Sequence, residues 1–194
     1  MPPLPTPPRC GNLGKSLSVH GFRAGIDHDG QVTTSLSAEL RFGASANQVW
    51  QMLISPEYVA FKRAETGDVE YLVEDSSQGT CLTFTRPVAG ELPPGAAALL
   101  GTSAQIVETQ IWTTSDNEGN RDAELAVTIG AAPAQISGTA SLRAVGKETR
   151  INIEITISVA IALFGGTAEK FIKTELEKFI QAEQTLGQRW IAQQ

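Results

Sequence analysis

The sequence is poor in the side chains that enzymes most often use for proton transfer and metal binding. Its two histidines, His20 and His28, both lie within residues 1–32. Its two cysteines, Cys10 and Cys81, match no metal-ligand spacing, and we expect no disulfide framework. Because the rest of the chain has no imidazole for a Ser-His or Cys-His pair, we expect neither a metal site nor a bound cofactor.

Positive charge and long apolar runs are also scarce. With 15 Lys and Arg against 21 Asp and Glu, the formal net charge is −6, so the net field would repel nucleic acid and anionic lipid. The most apolar stretch, residues 159–164, is far shorter than the ~20 residues of a membrane-spanning helix. The proline-rich start cannot form the apolar helix of a secretory signal. We therefore expect a cytoplasmic protein without nucleic-acid partners or stable membrane insertion, and its oligomeric state stays open.

The first residues differ in composition from the rest of the chain. Five of the ten prolines fall within the first eight positions, and no sustained apolar periodicity appears before residue 33. We expect a poorly ordered Pro/Gly-rich leader over residues 1–32. The remainder, residues 33–194, has the length and apolar content of one compact domain.

The domain opens with a strand and two short helices. From Thr34 onward apolar and polar residues alternate, which is typical of a half-buried strand. Ser45 with Gln48 has the pattern of a capping box and predicts the start of a helix. Pro56 ends this helix and opens a second one, which we expect to stop before Gly67.

Short strands follow, and one long helix ends the chain. Strand-like runs recur at hairpin spacing, and such short connections predict an antiparallel meander. An apolar stripe of helical period then runs from Ala168 to Trp190, which predicts a helix of roughly 25 residues. So long a helix needs a broad apolar surface. The sequence therefore predicts an α+β protein with a curved, six- to seven-stranded antiparallel sheet wrapped on the C-terminal helix.

Four segments of the chain resemble the START-like (SRPBCC) superfamily, and more closely an uncharacterised bacterial branch of it. They are the opening helices from Ala44 to Gly67, the insertion from Arg86-Pro87 through Leu92-Pro93 to Leu100-Gly101, the hairpin Gly130–Pro133 with Ser137–Thr139 and Leu142, and the helix entry Ile161–Glu169. The resemblance covers about residues 34–192. It implies a helix-grip fold whose cavity, between sheet and long helix, accepts apolar ligands such as lipids, polyketides or aromatic molecules.

The residues leave three functions open. The first is binding or transport of an apolar small molecule, which a cavity without an inward ionisable group would favour. The second is a polyketide cyclase- or dehydratase-like enzyme, which a buried carboxylate beside a phenol would favour. The third is a protein-interaction module, which a filled core would favour. We place binding first because the domain has no histidine.

The expected ligand site is the sheet face opposite the long helix, together with aromatic residues of that helix. Gly138 and Ala140 would leave space in the middle of this face. The simpler interpretation is that all these side chains form an ordinary core. The predicted ligand-binding residues are Val69, Tyr71, Leu82, Phe84, Leu125, Val127, Leu142, Ile153, Ile155, Phe171 and Phe179.

Polar candidates within the domain are few, and Glu108 and Tyr71 are weak catalytic candidates. Glu108 shares a strand face with Ile106 and Trp112, so an inward face would bury a carboxylate able to orient a ligand hydroxyl or accept a proton. Because charged residues usually face solvent, we expect Glu108 outside. Tyr71 either offers its phenol to a ligand or keeps its hydroxyl at the rim of the core. For Arg86 we expect a surface ion pair rather than contact with an anionic head group.

Overall fold

The computed structural model describes residues 33–67, 69–76, 79–88, 104–160 and 165–194. The predicted leader, Cys10 and the Leu92-Pro93 insertion lie outside these ranges. The described elements are β1 (Thr34–Phe42), α1 (Ala46–Ile54), α2 (Pro56–Thr66), β2 (Glu70–Ser76), β3 (Gly79–Pro87), β4 (Gln105–Trp112), β5 (Arg121–Ile129), β6 (Ala134–Val145), β7 (Glu148–Val159) and α3 (Gly165–Ile191).

The strands form one seven-stranded sheet in the order β1-β7-β6-β5-β4-β3-β2. Every neighbouring pair is antiparallel, and β2 to β7 follow one another as a meander. β1 pairs with β7, so Thr34 lies opposite Ile157 and Phe42 lies opposite Thr149. The predicted α+β architecture, with two short helices after the first strand and a long terminal helix, is confirmed.

The two short helices begin and end where the sequence predicts. The Ser45 hydroxyl accepts from the Gln48 backbone N–H at 3.4 Å, and the Gln48 side chain accepts from the Ser45 N–H at 3.0 Å. This reciprocal pair satisfies N–H groups that have no partner within α1. The Ser55 hydroxyl caps α2 by accepting from the backbone N–H groups of Glu57 and Tyr58, at 3.1 Å each. Pro56 is the first residue of α2, and Gly67 ends it at a φ of +91° that favours glycine.

The sheet face that packs against α3, called here the inner face, is the apolar face that the strand patterns predict. Its register aligns Tyr71 with Phe84, and Leu142 with Ile151. Gly138 also has a structural role, because an added Cβ would lie 2.0 Å from the Glu154 carbonyl oxygen of β7. Close approach of two strand backbones therefore requires glycine there.

The helix α3 lies closest to β1 and β7. Leu176 and Leu186 are its buried leucines. The Gln184 side chain covers the free edge of β1, since its Nε2 donates to the Arg41 carbonyl at 2.6 Å and its Oε1 accepts from the Arg41 N–H at 2.7 Å. The amide thus takes the place of a further strand at this edge.

A buried carboxylate anchors the first turns of α3. Glu169 accepts from the Val159 N–H at 3.0 Å and from the Thr34 hydroxyl at 2.8 Å, so it joins the helix to β7 and β1. Hydrogen bonds of this kind offset the cost of burying charge. In the sequence Glu169 is indistinguishable from the exposed acids of the same helix.

One expectation about the cysteines is wrong. Cys81 lies on β3, is 1% exposed and is disulfide-bonded. The other cysteine, Cys10, lies outside the described residues. Sequence spacing carried no sign of this bond, because a disulfide depends on which Cα atoms the fold brings within bonding distance.

Candidate functional site

The inner face is organised in rows of side chains that cross the sheet. One row runs through β2 to β6 and contains Tyr71, Phe84, Glu108, Val127 and Ile136. The neighbouring row, where β3 ends and β4 begins, contains Arg86, Ile106 and Ile129. We call this second row the open end, because all three residues keep part of their surface exposed.

Glu108 points inward, so our expectation that it faces solvent is wrong. It lies opposite Phe84 on β3 and Val127 on β5, and its side chain is only 14% exposed. The register of β4 determines the orientation of Glu108. Trp112 lies on the same face of this strand and is fully buried in the core, so that face points inward. The inward carboxylate is tolerated because polar partners accompany it.

A chain of polar side chains runs along the inner face from β4 to β3. The Trp112 Nε1 donates to the Gln110 Oε1 at 2.7 Å, and the Gln110 Nε2 donates to the Glu108 Oε1 at 2.6 Å. The guanidinium of Arg86 lies beyond, with its NH1 3.7 Å from the Glu108 Oε2. We call Arg86, Glu108, Gln110 and Trp112 the polar chain. Both ends of the Gln110 amide are engaged, so the Glu108 carboxylate is held in one orientation.

Arg86 is charged, largely buried and open to a further partner. Its side chain is 17% exposed, and its guanidinium carbon lies 3.8 Å from the centre of the Phe179 ring on α3. A separation of 3.7 Å from Glu108 is longer than a hydrogen bond. Within the described residues, no acceptor lies within hydrogen-bonding distance of the guanidinium. The expected ion pair exists, but it lies on the inner face rather than on the surface.

A second ion pair lies on the other side of Phe84. The Lys62 ammonium, on α2, is 3.0 Å from the Glu183 carboxylate on α3 and 4.7 Å from the centre of the Phe84 ring. Burial, reinforced by Glu183, raises the pKa of Tyr58 well above its ordinary value. Sequence reasoning missed this pair, because nothing in the sequence distinguishes Lys62 from a surface lysine.

The phenol of Tyr71 is already engaged. Its hydroxyl donates to the Leu53 carbonyl of α1 at 2.9 Å, and burial raises the pKa of Tyr71. The Phe84 ring lies 5.0 Å from the Tyr71 ring and stands between Tyr71 and Glu108 in their row. The structure therefore does not place a phenol directly beside the buried carboxylate.

The predicted ligand-binding residues divide into two groups. On the sheet, Leu82, Phe84, Leu125, Val127, Leu142 and Ile155 are buried in the core. The half-buried members are Val69, Tyr71, Ile153, Phe171 and Phe179. Ile106 and Ile129, which the sequence did not single out as ligand-binding residues, are half-buried as well.

A separate surface groove of about 510 Å³ lies between β1 and α3. It is lined on one side by β1 from Leu36 to Arg41 and on the other by Ile180, Gln184 and neighbouring residues of α3.

In the described part of the chain, no group of three or more His, Cys, Asp or Glu side chains could hold a metal ion. None of the described helices is long and apolar enough to cross a membrane.

Comparison with protein families gives one match over most of the chain. The model of a family described as "Protein of unknown function (DUF2505)" matches residues 37–191. Uncharacterised proteins of Mycobacterium bovis and Mycobacterium tuberculosis are 34% identical over 76 residues, which are 38% of this chain and 44% of each relative. The chain thus spans less than half the length of these relatives.

Comparison with solved structures shows the fold. Norcoclaurine synthase from Thalictrum flavum superposes with a TM-score of 0.53 at 19% identity, over 92% of this chain and 97% of that one. A START superfamily protein from Mycobacterium smegmatis superposes with a TM-score of 0.50 at 12% identity, over 80% and 98% of the two chains. The fold is therefore the START-like helix-grip fold that the sequence segments resemble.

Proposed function

The chain belongs to the DUF2505 family of proteins of unknown function, and we propose that it binds an apolar small molecule of lipid-, polyketide- or aromatic-like character between the sheet and α3. One observation carries the proposal. At the open end, a largely buried guanidinium without a hydrogen-bond acceptor among the described residues lies among apolar side chains that are only half-buried.

The partial exposure of the apolar residues at the open end argues against a filled core. Ile106 and Ile129 lie on the face that packs against α3, yet both keep exposed surface. Each Å² of apolar surface left in water forgoes about 25 cal/mol, so an apolar ligand covering it would gain affinity. An interaction module with a filled core would bury these isoleucines. Small-ligand sites typically combine such apolar walls with a few directed polar groups.

A protein of the same fold supports the size and character of the proposed ligand. Norcoclaurine synthase from Thalictrum flavum has been solved in complex with dopamine and hydroxybenzaldehyde, two small aromatic molecules. At such low sequence identity the likeness concerns the fold, and the ligand of the present protein is to be identified from its own site.

Binding is tested with the uncharged fluorophore N-phenyl-1-naphthylamine, whose emission rises in apolar surroundings. We expect saturable binding to the full chain, and about ten-fold weaker binding to Ile106→Trp, because the larger ring fills the open end. Val145→Trp is the control, since Val145 is an exposed residue at the end of β6. Circular dichroism verifies that both variants are folded.

No saturable binding to wild type, or equal binding by both tryptophan variants, would disprove a ligand site at the open end. Native mass spectrometry of the protein purified from its own source then identifies any molecule that remains bound.

The inward position of Glu108 supports a second candidate function, a cyclase- or dehydratase-like enzyme in which this carboxylate transfers protons. Tyr71 does not complete the pair expected for such an enzyme, because its hydroxyl is bonded to Leu53 and Phe84 separates the two side chains. We therefore place binding first. Turnover of a linear polyketide mimic by wild type, lost in Glu108→Gln, would establish the enzyme instead.

A further inference from the structure

We propose that the ligand is an uncharged apolar molecule with a hydroxyl group, and that this hydroxyl bridges Arg86 and Glu108. The inference rests on the proposed function and names the ligand class for the same site. It comes from the spacing and the charges of the polar chain, and from those of its hydrogen-bonding groups that have no partner among the described residues.

The spacing of the pair suits one bridging oxygen. The Arg86 NH1 and the Glu108 Oε2 are 3.7 Å apart, which is beyond direct hydrogen bonding. An oxygen atom about 2.8 Å from each would complete two hydrogen bonds. It would have to accept from the guanidinium and donate to the carboxylate. A hydroxyl does both with a single atom.

The two charged groups are already oriented for such a bridge. Glu108 uses its Oε1 to accept from Gln110, which leaves the Oε2 turned toward Arg86. Gln110 is held in turn by Trp112, which is buried in the core. The Phe179 ring supports the guanidinium from the side of α3. A ligand meeting such a prearranged pair loses little affinity to reorganisation of the site.

The charges of the pair select against ionised ligands. A carboxylate would be attracted by Arg86 but would approach Glu108, and burying two like charges together is costly. An ammonium group would meet the same difficulty at Arg86. A neutral hydroxyl encounters no like charge, so the ion pair favours it over both alternatives. Ile106 and Ile129 lie in register with Arg86, where the apolar body of the ligand would pack.

The experiment compares matched molecules that differ only in their polar group. Each is used to displace N-phenyl-1-naphthylamine from the full chain at neutral pH. An alkyl set contains 1-dodecanol, dodecanoate and dodecylammonium, and an aromatic set contains 2-naphthol, 2-naphthoate and 2-naphthylmethylammonium. We expect the hydroxyl compound of the set that fits the open end to bind at least about ten-fold more tightly than its charged counterparts, because two charge-assisted hydrogen bonds favour it.

Two variants should weaken this preference, each in favour of a different charged compound. Glu108→Gln removes the negative charge, so the carboxylate compound should gain about ten-fold relative to the hydroxyl compound. Arg86→Gln leaves Glu108 without its cation, so the ammonium compound should gain instead. Arg143→Gln is the control, because Arg143 is ion-paired with Asp122 and belongs to neither the polar chain nor the open end. It should leave the wild-type order unchanged.

The outcomes separate the two proposals. If wild type binds the fluorophore but shows no preference for the hydroxyl compounds, or none of the six displaces it, the hydroxyl assignment is wrong and the apolar site stands. Variants that fold and leave the wild-type ratios of affinity unchanged overturn the assignment as well. If wild type does not bind the fluorophore, both proposals fail. The wild-type order tests the assignment even if a variant does not fold.

Discussion

The two ends of the inner face share one sheet and one helix, yet they differ in how completely they are packed. At the end that α1 covers, which we call the closed end, Phe42 and Leu142 are 2% and 0% exposed. There Trp50 of α1 meets Trp112 edge to face, with 5.7 Å between ring centres. At the open end, Ile106, Ile129 and Arg86 keep part of their surface.

This difference assigns separate tasks to the two ends. Close packing contributes most where every side chain is in contact on all sides, so the closed end supplies a large part of the stability. The open end has fewer contacts to lose and can contribute surface to a ligand. The polar chain joins the ends, because Trp112 is anchored in the core and Arg86 lies at the opening.

The largest effect is expected at the closed end. Phe42→Ala should lower the free energy of unfolding by about 3–5 kcal/mol, because it leaves a cavity in a packed core under α3. The measurement is chemical denaturation of the full chain. Leu72→Ala is the control, since Leu72 is exposed on the edge strand β2 and should change stability by no more than ~0.5 kcal/mol. A loss of that small size at Phe42 would show that the closed end is not the main core.

The same substitution at the opposite end sharpens the comparison. Phe179→Ala should cost roughly 1 kcal/mol, because the ring contributes a cation–π contact with Arg86 but is only half-buried. The same denaturation experiment measures it. A loss as large as that of Phe42→Ala would mean that the open end is filled, which would favour an interaction module over a binding protein.

The smallest expected effect concerns the ionisation of the two tyrosines, which affects stability only at high pH. Burial raises the pKa of both Tyr58 and Tyr71, so each contributes stability that is complete below pH ~10 and is lost as the pH rises above that value. The absorbance of phenolate at 295 nm should therefore stay low through pH 10 and rise only as the chain unfolds. In 6 M guanidinium chloride both tyrosines should ionise near pH 10.

Tyr58→Phe isolates Tyr71, which lies in the same row as Glu108. If Tyr71 ionises near pH 10 while the near-ultraviolet circular dichroism is unchanged, water reaches its hydroxyl from the open end. The region that water reaches would then extend along the sheet from the open end to β2.

Local signals account for the parts of the fold that could be predicted. Capping by Ser45 and the position of Pro56 depend only on the backbone within a few residues, so both could be predicted from the local sequence. Strand alternation likewise assigned Leu125, Leu142 and their neighbours to one face. The pairing of β1 with β7 had no local signal, because it joins opposite ends of the domain.

The candidate site was predicted less well, because its charged members are exceptions to the usual pattern. A glutamate on a strand normally faces solvent, and Glu108 does not. Lys62 and Glu183 belong to helices far apart in the sequence, so only their docking brings the charges within 3.0 Å. Among the apolar residues, the sequence identified the face but not which end of it would be closed.

The sequence by itself determined the succession of elements, their amphipathic faces and the shortage of groups for acid-base and metal chemistry. These follow from periodicity and composition, which act within one element or over the whole chain. Only the tertiary structure decided that β4 turns Glu108 inward, that Arg86 stands 3.7 Å from it on the same face, and that α1 packs over the end of the face where Trp50 meets Trp112. These features depend on strand register and helix docking, which bring distant residues together and leave no trace in local spacing.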